Sequence, residues 1–249
     1  QPACPFESKA ACGCAVIFYV MTAVRTELRQ RGWFASRPEP NMAQFLDLLA
    51  LASVADVVPL DKNNRIFVDQ GLKRIRAGRS IAGIRALLTI GGKQAHNLVA
   101  SDLGFAIGPR LNAAGRLDDM ATGIECLLTD SDALAQQYAE ELNSLNEERK
   151  NIEREMQQQA LISLQSQTLL TTIDQAEKDV SALPWGLCIY DAQWHQGVIG
   201  ILASRIKDKV HRPVIAFANA DTDLSLTTQE IKGSARSIPG LHIRDALDL

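Results

Sequence analysis

Asp132-Ala-Leu-Ala-Gln-Gln-Tyr-Ala-Glu-Glu-Leu-Asn-Ser-Leu-Asn-Glu-Glu-Arg-Lys-Asn-Ile-Glu-Arg-Glu-Met-Gln-Gln-Gln-Ala-Leu-Ile-Ser-Leu164 is the stretch on which the architecture turns. Leu134, Tyr138, Leu142, Leu145, Ile152 and Met156 recur at three- and four-residue spacing, the period of one face of an α-helix. The charges Glu140, Glu141, Glu147, Glu148, Arg149, Lys150, Glu153 and Arg154 fall mostly elsewhere. No glycine or proline interrupts the run. At ~1.5 Å per residue the helix spans about 45–50 Å, longer than an ordinary globular helix. The apolar seam is short and Arg149 breaks it, so the pattern predicts a connector between two lobes rather than a coiled-coil arm.

On the N-terminal side the chain reads as helical. Residues 12–31 form one helix stopped by Gly32, and Arg37-Pro-Glu-Pro40 is a loop. Asn41 caps a second helix through Phe45, Leu46, Leu48 and Leu49, which leads into the apolar stretch Ala50–Leu60. Asp61-Lys-Asn-Asn64 has turn chemistry. The segment Arg65–Arg79 carries Arg65, Lys73, Arg74, Arg76 and Arg79 against the single acid Asp69. From Ile81 to Leu128 the pattern is helical, broken at Gly91-Gly92 and over the glycine-rich segment Gly104–Gly115. Beyond the long helix and the polar stretch Gln165–Asp179 the texture changes. Gly186-Leu-Cys-Ile-Tyr-Asp191 and Pro213-Val-Ile-Ala-Phe-Ala218 read as buried strands, with a helix at Val198–Val210 between them, the pattern of a parallel β-α-β unit. Ile231-Lys-Gly-Ser-Ala-Arg-Ser237 is a third strand running into a turn. The fold class is therefore α/β, with two lobes joined by a long helix. Residues 1–130 form a largely helical lobe, 131–166 the connector and 167–249 a small α/β sheet lobe.

The 249 residues are 46% hydrophobic, 22% charged and 5% aromatic. That is enough chain for a real core, and the composition excludes disorder, collagen-like repetition and a disulfide-stapled miniprotein. The formal net charge is −3, so nucleic-acid binding has to use local basic patches rather than an overall field. The cysteines Cys4, Cys12, Cys14, Cys126 and Cys188 lack paired spacing and read as small buried hydrophobes in a reducing compartment. The apolar run Cys12–Val24 is shorter than the about 20 residues of a bilayer span, and only Lys9 stands before it as a basic leader. The expectation is a soluble, cytoplasmic protein with no membrane partner. The chain opens on Gln1 and stops at Leu249 inside a helical-looking stretch, so it reads as cut from a longer one.

Four segments carry candidate chemistry. Asp56 stands among apolar neighbours in Val54-Ala-Asp-Val-Val58. A buried carboxylate there must be hydrogen-bonded, paired or metal-bound, and a loop cap is as good a reading as a metal ligand. In Gly108-Pro-Arg-Leu-Asn-Ala-Ala-Gly-Arg116, Arg110 and Arg116 flank Asn112 between glycines. This suits phosphate oxygens, or equally a tight packing joint with solvated arginines. Trp194-His-Gln-Gly-Val-Ile-Gly200 lies at a strand-to-helix turn, where helix amides favour an anion; His195 adds a donor and Trp194 a stacking face. Gly233-Ser-Ala-Arg-Ser237 offers hydroxyls and one guanidinium beside a glycine.

In this order, the segments resemble the DHH phosphoesterase family, and within it the single-strand-specific 5′→3′ exonucleases. The resemblance runs through Ser53–Asp61, Asn64-Arg-Ile66, Gln70-Gly-Leu72, Ser101–Ala106, Gly108–Asp118, Leu142-Asn143 with Asn146, Trp194–Arg205, Arg212–Phe217 and Gly233–Ser237. Pro2-Ala-Cys-Pro5 is similar to the segment just after the family's Asp-His-His triplet. The resemblance implies a partial DHH catalytic domain, a connecting helix and a partial DHH-associated domain that binds nucleic acid. It also implies a two-metal centre of Mn²⁺ or Mg²⁺ that activates water for in-line attack on a phosphodiester. The setting it implies is DNA repair and recombination by a monomer acting on single-stranded DNA, with single-strand-binding protein as a further partner. Asp56 would then be a metal ligand and catalytic. Ser234 and Arg236, with Arg110, Asn112 and Arg116, would hold the phosphate or backbone, and His195 would lie on the nucleotide path. Alternative readings are an oligonucleotide or cyclic-dinucleotide phosphodiesterase of the same family, and a non-catalytic nucleic-acid-binding relative. The Asp-His-His triplet, the Asp-rich metal motifs and the later Gly-Gly-His motif of the family are missing, so the chain alone is expected to be inactive. Ala235 stands where the family carries glycine, which would narrow backbone approach.

Overall fold

The computed structural model describes residues 5–6, 8–166, 184–220 and 230–248. Cys4, the Pro2–Pro5 match apart from Pro5, and most of the polar stretch Gln165–Asp179 lie outside the described residues. The chain divides into two compact units, Gln1–Asn146 and Glu147–Leu249.

The first unit is helical. Helix α1 (Gly13–Gln30) ends at Gly32, whose φ of 73° only glycine adopts cheaply. Asn41 caps a short 3₁₀ turn, Met42–Phe45, by accepting from the Ala43 amide at 3.0 Å, and this turn leads into α2 (Leu46–Ala55). Asp61 caps α3 (Lys62–Arg76) by accepting from the Asn64 amide at 2.9 Å. Helix α2 lies directly on α3 at Gly71, where a Cβ would stand 2.3 Å from the Leu46 carbonyl oxygen. Helix α4 (Ala82–Ile90) and α7 (Ala121–Leu128) meet as closely at Gly83, where a Cβ would stand 2.0 Å from the Cys126 carbonyl oxygen.

The segment Gly104–Gly115 is not the glycine-rich break that its composition predicts. One turn of α5 (Ala100–Asp102) passes into a π turn, Leu103–Ile107, and on into α6 (Gly108–Leu117). The glycines serve packing here: a Cβ on Gly104 would lie 3.1 Å from Val54 Cγ1, and one on Gly108 3.6 Å from Ala55 Cβ.

The long helix α8 runs Asp132–Ser166 without a break. Its buried stripe in the first unit is Ala135, Ala139, Leu142 and Asn146, while Leu134 is 46% exposed. Of the expected seam, Leu142 is buried and Tyr138 and Leu145 pack partly buried against the same core, and the small Ala135 and Ala139 join them at the closest approach. Where Arg149 breaks the apolar seam, its guanidinium pairs with Glu153, which also pairs with Arg205.

In the second unit β1 (Leu187–Tyr190) pairs in parallel with β2 (Val214–Asn219), and β3 (Ile231–Arg236) adds antiparallel to β2. Helix α9 (Ile199–Val210) connects β1 to β2, as the β-α-β pattern predicts. Its Ile199, Leu202, Ala203 and Ile206, with Val214, Ala216 and Ala218 of β2, form the core. Met156, Ala160 and Trp194 are buried too. A short α10 (Ile243–Leu247) follows. The result is a mostly helical chain with one small mixed sheet.

Candidate nucleic-acid interface

Alternation along β3 places Ser234 and Arg236 on the face that α9 covers, because their register partners on β2 are the buried Ala216 and Val214. The first turn of α9 comes down on them at Gly200. A Cβ there would lie 2.7 Å from Arg236 Nη2 and 2.9 Å from Ser234 Oγ. Hydrogen at Gly200 therefore brings the helix N-terminus, a hydroxyl and a guanidinium to one place. Arg236 Nη1 also donates to Ser234 Oγ at 3.2 Å and to the Ala235 carbonyl at 2.8 Å, which aims the fork. Positive helix end, donor hydroxyl and guanidinium are the groups a phosphate oxygen accepts from. Ala235 pairs with Ile215 on the opposite face of the sheet, so its methyl does not narrow the cradle.

His195 stands in the turn that feeds α9. Its Nδ1 accepts from the Gly197 amide at 3.1 Å, leaving Nε2 as the donor of the neutral ring. Trp194 does not offer the stacking face expected of it. It is 5% exposed, and its indole N–H donates to Gln159 of α8 at 3.1 Å. An indole buried with its one polar atom satisfied is core, and it anchors the turn.

In the first unit Asp56 is exposed and forms the C-cap of α2, so the desolvation expected for a carboxylate among apolar residues is absent. Val54-Ala-Asp-Val-Val58 is a helix end rather than a strand, and a helix end turns its last residue outward. The Asp56 charge is felt at Cys14, whose thiol burial first, then Cys12 and Asp56, push above its ordinary value. The acid that burial does hold is Asp47, fully buried on α2, whose Oδ2 accepts from the Ile81 amide at 3.0 Å with Arg74 Nε 3.8 Å away. Its setting, Leu46-Asp-Leu48, is as apolar in sequence as that of Asp56.

Arg110 is turned inward: Nε donates to Asn143 Oδ1 at 3.0 Å and Nη1 to the Ala106 carbonyl of the π turn. Asn112 and Arg116 are exposed. The structure brings the Asp56 end of α2, the π turn and Arg110 together through the Gly104 and Gly108 contacts, and it separately brings together Gly200, Ser234 and Arg236. The basic segment Arg65–Arg79 is largely spent on the fold, since Arg76 donates twice to the Leu98 carbonyl, Arg65 to the Leu60 carbonyl, and Lys73 pairs with Asp69.

Among the described residues no group of three or more His, Cys, Asp or Glu side chains could hold a metal ion. Two Asp-x-Asp spacings do occur: Asp132 of Asp130-Ser-Asp132 pairs with Arg85, and Asp221-Thr-Asp223 lies outside the described residues. Cys12 and Cys126 are buried, but Cys188 is exposed on β1, against the expectation of uniformly buried thiols. No described helix is long and apolar enough to cross a membrane.

Residues 180–249, which hold the small mixed sheet, match the DHHA1 domain model. The chain is 55% identical over 247 residues to the single-stranded-DNA-specific exonuclease RecJ of Dickeya dadantii, covering 98% of this chain and 40% of that protein. It superposes on RecJ from Thermus thermophilus in complex with Mg²⁺ with a TM-score of 0.75 at 31% identity, covering 98% of this chain and 33% of that one. A manganese-bound exonuclease RecJ gives a TM-score of 0.71 at 31% identity, covering 99% of this chain and 54% of that one. The chain is similar to RecJ along nearly its whole length, and it spans about two fifths of the length of the curated relative.

Proposed function

We propose that this chain is the part of a single-strand-specific 5′→3′ exonuclease that grips the DNA, with the second unit holding a terminal 5′-phosphate. The observation that carries this reading is the meeting of Gly200, Ser234 and Arg236. Arg236 and Ser234 donate to phosphate oxygens, the α9 N-terminus adds its dipole, and His195 Nε2 meets the following nucleotide. Arg110, held by Asn143 and Ala106, positions the π turn beside Asp56, and Asn112 and Arg116 follow the backbone. The family's metals, Mn²⁺ or Mg²⁺, supply activated water for phosphodiester hydrolysis. Of this chain's described residues only Asp56 is put forward as a ligand, and one carboxylate does not make a two-metal site. The chain alone does not cut DNA. The wider setting proposed is cytoplasmic DNA repair and recombination by a monomer, with single-strand-binding protein as a partner.

Binding of a short 5′-phosphorylated single strand and its 5′-hydroxyl counterpart tests the cradle. Arg236→Ala is expected to weaken the phosphorylated strand by roughly tenfold or more, the worth of charged hydrogen bonds, and the hydroxyl strand much less. Equal losses place Arg236 away from the terminal phosphate. Affinity should fall steeply with salt. Cleavage by this chain with Mn²⁺ would contradict its inactivity.

A further inference from the structure

Phe105 is 82% exposed in a turn whose Leu103, Ala106 and Ile107 are buried. The ring does not ride on a fraying loop. It projects from the π turn between α5 and α6, whose backbone lies against the end of α2, tightly at Gly104 on Val54 and in ordinary contact at Gly108 near Ala55. π turns inside helices are frequent at functional sites because they re-aim one side chain while keeping the helix continuous.

The partner surface is irregular as well. Asp56 closes α2, and Val57 beside it takes a φ of 53°, a left-handed conformation that is an outlier for a β-branched residue. On the other side of the π turn, Arg110 donates to the Ala106 carbonyl. An exposed carboxylate, an exposed aromatic ring and a guanidinium thus belong to one packed joint, with the ring on the element between the two charged groups.

We propose that Phe105 is a stacking platform for an unpaired nucleobase of the strand whose backbone follows Asn112 and Arg116. The inference rests on the reading of this chain as a binder of single strands. A base offers a flat π face to an exposed ring whose backbone is held by the packed π turn, and such stacking is sequence-tolerant. A single exposed ring followed on α6 by the exposed Asn112 and Arg116 suits a nucleotide, whose base is apolar and whose linkage is ionic. Holding the backbone in place before binding lowers the ordering cost.

The test compares a short oligothymidylate with an abasic phosphodiester strand of equal length, each titrated into the whole chain. The unsubstituted protein should prefer the base-bearing strand. Phe105→Ala should weaken the oligothymidylate on the order of tenfold, from one lost stack, and leave the abasic strand unchanged. Phe105→Trp should keep the preference, with added fluorescence quenched by the oligothymidylate alone. Because the ring is in solvent, an unchanged thermal melt is expected for both variants. An unaltered preference in Phe105→Ala, or an equal loss for both strands, overturns the proposal while leaving single-strand binding intact. Failure of the unsubstituted chain to bind either strand overturns the underlying reading instead.

Discussion

Gly108–Arg116 and Gly233–Ser237 contain the same ingredients, glycine, small residues and arginine, and both suit phosphate on composition. The structure gives them different tasks. In the first, Gly108 lies in ordinary contact with Ala55 of α2, and Arg110 uses its guanidinium on Ala106 and Asn143. In the second, glycine is not even the strand's contribution to the cradle. Gly233 makes room for the Phe217 ring on the far face, where a Cβ would lie 2.6 Å from Cε1, and the glycine that matters is Gly200 on another element. A guanidinium inside a helix finds carbonyls and side chains of its own fold within reach, whereas one at the end of a strand, under a helix N-terminus, is aimed at what that terminus attracts.

The contrast between packing glycines and cradle glycines can be broken experimentally. The largest effect is expected at Gly83, where a methyl would collide with the Cys126 carbonyl and nothing nearby is flexible. Gly83→Ala should cost about 3 kcal/mol or more in chemical denaturation. Cys126 reports the same opening, since burial pushes its thiol up to about 11. It should resist alkylation at neutral pH in the parent chain, where the exposed Cys188 reacts, and become labelled in the variant.

Arg110 comes next. If its role is to hold the joint, Arg110→Ala should lower stability by about 2 kcal/mol, and Lys should not rescue it, because one ammonium cannot bridge Ala106 and Asn143 as a fork does. A full loss of strand binding with unchanged stability would make Arg110 a phosphate ligand like Arg236 and erase the contrast.

Gly200→Ala should behave in the opposite way to Gly83→Ala. The methyl meets only the ends of flexible side chains, so Arg236 and Ser234 shift. The expected preference for a 5′-phosphate then drops roughly fivefold, about 1 kcal/mol, while stability holds or rises with the better helix former.

The smallest effect concerns pH. The Asn64 amide and the Ser8 hydroxyl, which donates at 2.6 Å, hold Asp61 below its ordinary value of 3.8. The unfolded chain therefore binds the proton first. The contribution of this cap is present above the ordinary carboxylate range and is lost as pH falls through the lowered value. Asp61→Asn should flatten that acid limb of the stability curve, and an unchanged limb would remove Asp61 from it.

How much is legible in the sequence depends on the origin of each signal. The unbroken α8, the Gly32 stop, the cap at Asn41 and the β-α-β unit rest on local periodicity and turn chemistry, and these survive folding. The expected seam of α8 is mostly the buried one, but Leu134 is left outside while Ala135 and Ala139 are covered, because the neighbour decides where on the apolar side the closest approach falls. Trp194 reads as a platform because a tryptophan in a turn carries no label saying whether Gln159 will reach its indole. Asp47 and Asp56 sit in equally apolar sequence, and only the position of Ile81 and Arg74 tells them apart.

By itself, then, the sequence determined the kinds of element, their order and the residue types available for an ionic ligand, since these depend on neighbours along the chain. Only the tertiary structure decided which of those residues act together. Gly200 reaches Ser234 and Arg236 through the antiparallel pairing of β3 with β2 and the seating of α9 on both. Asp56 reaches the π turn through two glycine contacts. Both are pairings between segments far apart in sequence, and the fold establishes them by burying apolar surface elsewhere.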